Sequence, residues 1–147
     1  MKRTLLIVLL VSLPLLSSLS LAVAEDAVPK SVDTIADTIK VEAVSDYIAN
    51  NQDAVILDVR TPQEFETSHV PGAVNINILH ESFVEAVGQL DSDKTYIVYC
   101  TKNPAGGRSM TALAKMKEMG FKELISLEGG HVAWTEAHLP ISTKDKK

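Results

Sequence analysis

The chain has 147 residues, 46% of them hydrophobic, with 14 basic and 19 acidic side chains and a formal net charge of −5. A chain of this length suits one domain around a single core, and its acidic balance argues against nucleic acid as a partner, because phosphate binding relies on clustered Lys and Arg. Cys100 is the only cysteine, which excludes a disulfide framework within the chain.

At the N-terminus, Lys2 and Arg3 precede the apolar run TLLIVLLVSLPLLSSLSL, interrupted by Pro14, and AVA then sets small residues at Ala22 and Ala24. This is the pattern of a secretory signal peptide over residues 1–24, with the alternative of an uncleaved anchor. Cleavage is expected after Ala24, leaving 147 − 24 = 123 residues that are periplasmic or secreted. Losing Lys2 and Arg3 leaves 14 − 2 = 12 basic residues against 19 acidic ones, a mature charge of 12 − 19 = −7. No later stretch is long and apolar enough to span a bilayer, so no membrane association is expected after the cut. An exported thiol is a liability unless it is buried or used, and this draws attention to Cys100.

Residues 25–35 read as a polar tether, residues 36–141 as the folded domain and residues 142–147 as a lysine-rich, basic tail. VEAVSDYIANN puts Val41, Val44 and Ile48 on one helical face before a polar stop. AVILDV is a short continuous apolar run, as expected of a strand buried on both faces. TPQEF places Thr61 at a helix N-cap, Pro62 at the first helical position and Glu64 three residues past the cap, a capping box. HVPGAVNINI reads as a turn feeding a strand, and ESFVEAVGQL as a helix weakened by Gly88. KTYIVYC is a further buried strand, SMTALAKMKEMG a helix ended by Gly120, KELISLEGG a last strand and turn, and HVAWTEA a short helix. Short apolar strands alternating with helices indicate an α/β fold with a parallel sheet.

In open α/β sheets, ligands bind beyond the carboxyl ends of the strands. Cys100 stands there, after YIVY and before a Gly-rich loop that runs into a helix. Backbone N–H groups of such a loop can converge on one point, the helix dipole adds partial positive charge, and Lys102 and Arg108 add two full charges. All three effects favour a thiolate and a bound anion. Pro104 is expected to stiffen the loop, and Gly106 and Gly107 to permit φ > 0 where N–H groups turn inward. The bland alternative is a cysteine packed as a small hydrophobe.

ILDVRTPQEFETSHVPGAVNI resembles the first signature of rhodanese-homology domains, and YIVYC, GGRS and ISLEGGHVAW, in that order, resemble the remainder. The resemblance covers about residues 36 to 141 and implies a five-stranded parallel sheet with helices on both faces. It further implies a sulfurtransferase in which Cys100 takes sulfane sulfur from a donor such as thiosulfate, holds it as a persulfide and passes it to cyanide, a thiol or an acceptor protein. No metal or organic cofactor is implied. Thr101, Lys102, Asn103, Pro104, Ala105, Gly106, Gly107, Arg108 and Ser109 become the substrate cradle. Arg60 is expected to add positive field, and Asp58 to orient the loop or pair as a structural ion.

The common single-domain loop of that family has four residues between cysteine and arginine, whereas here seven, TKNPAGG, lie between Cys100 and Arg108. Phosphatases and arsenate reductases of the same fold use five, so a phosphatase or arsenate reductase remains an alternative, as does a non-catalytic binding module. Glu64 is read as a cap rather than an acid, His69 as a hydrogen-bonding turn residue and Trp134 as a core anchor. His80, His131 and His138 lack metal-ligand spacing.

Overall fold

A computed structural model describes residues 36–102 and 107–144. Five strands form one sheet, β1 (Asp37–Ile39), β2 (Val55–Asp58), β3 (Val74–Asn75), β4 (Thr95–Tyr99) and β5 (Glu123–Leu127). Their order is β1-β5-β4-β2-β3, and every pairing is parallel. A 3-10 turn over Val41–Ala43 leads into α1 (Val44–Asn50); α2 (Pro62–Thr67), α3 (Phe83–Val87), α4 (Arg108–Glu118) and α5 (Gly130–Glu136) follow. Among the described residues no helix is long and apolar enough to cross a membrane. The expected signal peptide and tether, residues 1–35, lie outside the described residues.

The parallel sheet is covered on both faces, which is why its central strands are apolar without alternation. Successive side chains still point to opposite sides. Leu57, Tyr96, Val98 and Leu124 face α3 and α4, where they pack with Phe83, Val87, Leu113 and Met116. Ile56, Ile97, Tyr99, Ile125 and Leu127 face α1 and α5, packing with Val44 and Trp134. Trp134 is thus a core side chain, its Nε1–H donating to the Pro140 carbonyl at 2.7 Å. Burying side chains such as Leu57, Leu113 and Met116 contributes about 1.5–3 kcal/mol each.

Three elements differ from the sequence reading. β1 has only three residues at the sheet edge, too short for an apolar run to mark it. β3 pairs over only two residues, although the chain beyond it stays on β2 through Ile76 N–H to Asp58 O (3.0 Å) and Ile78 N–H to Val59 O (3.2 Å). α3 stops at Gly88, which caps the helix rather than weakening its interior. The capping box of α2 is present as expected, with Thr61 and Glu64 bonding each other's backbone N–H.

Candidate active site

The apolar β4 carries the chain to the carboxyl edge of the sheet and delivers Cys100 there, 3% exposed, on the face that packs against α4. Its Sγ lies 3.3 Å from the hydroxyl of Ser109, a fully buried residue in the first turn of α4. A sulfur held at the start of a helix is in a favourable place to carry negative charge. Gly107 is the N-cap of α4 with φ −74°, so the expected positive φ is not found at that glycine. Its conformation is the extended one usual for an N-cap, which does not require glycine. Asn103, Pro104, Ala105 and Gly106 lie outside the described residues, and Lys102 is exposed.

The glycines that do need left-handed backbone are on the other side of the nucleophile. Gly129 and Gly130 have φ of +69° and +60° and turn β5 into α5. A Cβ on Gly130 would stand 2.4 Å from the Cys100 carbonyl oxygen and 3.0 Å from that of Thr101. This close approach lets the first turn of α5 bond the nucleophile's own backbone. His131 N–H donates to Cys100 O and Val132 N–H to Thr101 O, both at 2.9 Å. The Gly-Gly turn is therefore a support for the cysteine loop.

Glu64 has a larger part than its capping box suggested. Its carboxylate accepts from Arg108 Nη1 at 2.6 Å and Nη2 at 2.8 Å, and from Thr101 Oγ1 at 2.9 Å. Arg108 Nη2 also donates to Thr101 Oγ1 at 2.7 Å. One carboxylate on α2 thus clamps both stems of the cysteine loop. The bidentate Arg108 guanidinium holds the Glu64 carboxyl far below the usual carboxylate range, against the opposing pull of partial burial. Glu64 in turn raises Arg108.

Arg60 and Asp58 form a second pair on the far face of the sheet. Arg60 is 4% exposed, its Nη2 2.6 Å from Asp58 Oδ2 and 2.8 Å from the Ser68 carbonyl. The guanidinium's charge is thereby balanced by Asp58 within the protein. Asp58 also bonds the Tyr99 hydroxyl; burial, chiefly, and then the Asp58 charge push that phenol well above its ordinary range. Asp58 therefore orients Arg60 and Tyr99, the residue before the nucleophile. His69 stacks on Phe65 with ring centroids 3.8 Å apart and bonds the Phe65 carbonyl through Nδ1 at 2.8 Å. Among the described residues no three His, Cys, Asp or Glu side chains gather as a metal site.

The sequence and the fold that build this site are similar to those of known proteins. Residues 41–137 match the rhodanese-like domain. The chain is 31% identical over 121 residues to the probable adenylyltransferase/sulfurtransferase MoeZ of Mycobacterium tuberculosis; the match takes in 80% of this chain but only 29% of that longer protein. It is 35% identical over 83 residues to the thiosulfate sulfurtransferase GlpE of Pseudomonas syringae, covering 56% of this chain and 74% of the relative. Among solved structures, a rhodanese-related protein of Thermoplasma volcanium superposes with a TM-score of 0.61 at 27% identity, over 72% of this chain and 97% of the other. The chain belongs to the rhodanese-like domain family.

Proposed function

We propose that the protein is a rhodanese-type sulfurtransferase acting through a Cys100 persulfide. The observation that carries this reading is the placement of Cys100 Sγ at the carboxyl end of β4, 3.3 Å from Ser109 Oγ at the start of α4. The thiolate attacks the outer sulfur of thiosulfate; the S–S bond breaks toward the sulfonate, sulfite leaves with the electron pair, and Cys100 keeps one sulfur as a persulfide anion. Cyanide then attacks that outer sulfur, thiocyanate departs and the thiolate is restored; a thiol or an acceptor protein replaces cyanide in the cell. Each half-reaction conserves atoms, electrons and charge, so no redox cofactor is called for. The Ser109 hydroxyl and the helix start stabilise the sulfur anion as an oxyanion hole stabilises oxygen. Thr101, Lys102 and Arg108 flank the cradle, and Arg108 shapes it from its clamp on Glu64.

The clamp also weighs against a phosphatase. That chemistry usually calls for an acid to protonate the leaving group, and among the described residues Glu64 is the carboxylate that reaches the cysteine loop. Arg108 keeps it ionised and so unable to give a proton near neutral pH. The basic segment, apolar run and Ala22-Val23-Ala24 further support work outside the cytoplasm after cleavage behind Ala24. Steady-state assays separate the readings. Thiocyanate formed from thiosulfate and cyanide by the wild type but not by Cys100→Ser supports sulfur transfer. Hydrolysis of an aryl phosphate without thiocyanate formation overturns it.

A further inference from the structure

Beneath the cysteine loop, on the α5 face of the sheet, lies a polar group that the sulfur chemistry leaves unused. His131 is 9% exposed, its ring parallel within 18° to that of Tyr99 at a centroid distance of 6.5 Å. Its Nε2 is 3.2 Å from the Ser68 hydroxyl, and the carbonyl of the same serine accepts from Arg60. The Arg60 guanidinium carbon lies 5.5 Å from the Tyr99 ring centroid, so cation and imidazole share one aromatic neighbour. His131 also supplies the N–H that bonds the Cys100 carbonyl. One residue therefore joins a buried titratable ring to the backbone of the nucleophile.

We propose that His131 is a positioning residue whose imidazole, anchored on Ser68, keeps the start of α5 against the Cys100 and Thr101 carbonyls only while it is uncharged. The charged and titratable groups around it explain why. Arg60, beyond β2, and His69, beyond α2, oppose an imidazolium, whereas Asp58 at the end of β2 and Glu64 on α2 favour one. Both carboxylates are already engaged by an arginine. Burial first, and then Arg60, hold the ring below its ordinary value. A base so depressed stabilises the closed state fully above the value it has when exposed, near 6.5. Below that, the open state binds a proton that the closed state refuses, and closure weakens by up to roughly tenfold per pH unit until the closed-state value is reached. Acidification thus releases the turn that supports the nucleophile.

Amide-resolved hydrogen exchange at His131 and Val132 reads these two hydrogen bonds without any turnover, so its outcome is separate from that of the sulfur-transfer assays. Protection, corrected for intrinsic rates, is expected to fall up to about tenfold in the wild type between about pH 7.5 and about pH 5.5. In His131→Gln, which cannot take the charge, the fall disappears. Ser68→Ala, which keeps the ring but removes its anchor, lowers protection at both pH values and retains the dependence on pH. Protection in the wild type that ignores pH, or an equal fall in His131→Gln, overturns the proposal. If His131→Gln does not fold, the wild type and Ser68→Ala decide the matter.

Discussion

Replacing Glu64 by Gln removes one charge and almost no volume, and it tests the clamp directly. Gln can still serve at the third position of the capping box, so α2 keeps its start and the loss falls on the bonds to Arg108 and Thr101. Arg108 and Glu64 are 26% and 33% exposed, so solvent screens the pair and a fully buried value does not apply. Two charge-assisted hydrogen bonds in this setting amount to about 1–2 kcal/mol. The carboxyl is depressed in the folded protein, so this stability is present above the ordinary carboxyl value of 4.5 and is lost as pH falls below it. The gap between wild type and Glu64→Gln should therefore close by up to about 1.4 kcal/mol per pH unit under that value. Urea unfolding of both proteins, near pH 7 and near pH 3.5, measures the gap, and the thiosulfate kcat/KM of Glu64→Gln should fall roughly tenfold as the loop stems loosen. A gap that is absent at neutral pH, or unchanged in acid, would refute the clamp.

Two further substitutions probe the scaffold. Gly130→Ala forces a Cβ within 2.4 Å of the Cys100 carbonyl at a φ of +60°; a loss of about 2–4 kcal/mol in urea unfolding is expected, together with loss of sulfur transfer. A stability change below about 0.5 kcal/mol would show that the turn does not bear on the loop. Asp58→Asn leaves Arg60 buried without its counter-charge and should cost about 3–5 kcal/mol, read as a lower urea midpoint at unchanged slope. Full stability in that variant would contradict the ion-pair account.

Much of this molecule is legible in its sequence because the informative signals are local. AVIL and YIVY mark two central strands by short apolar runs, ELISL marks a third by its Leu and Ile residues, and Thr61-Pro62 with Glu64 marks the start of α2. The cysteine, the glycines and Arg108-Ser109 stand close enough together to be read as one loop. What escaped is what depends on distance along the chain. Glu64 and Arg108 are 44 residues apart, and the capping box alone already accounted for the acid. His131 and Ser68 are 63 apart, and neither carries a motif that names the other. The Gly-Gly turn is visible as a turn, but the carbonyls it approaches are set by strand order, in which β5 lies beside β4. The position of Arg60 beyond the strand edge is plain in the sequence, whereas its pairing with Asp58 depends on which face each side chain takes.

The most direct test weighs the protein. After incubation with thiosulfate and removal of excess donor, intact mass spectrometry should show the gain of one sulfur atom, located on Cys100, released by cyanide and absent from Cys100→Ser. A folded wild-type protein that gains no sulfur, or gains it equally in Cys100→Ser, would contradict a persulfide mechanism.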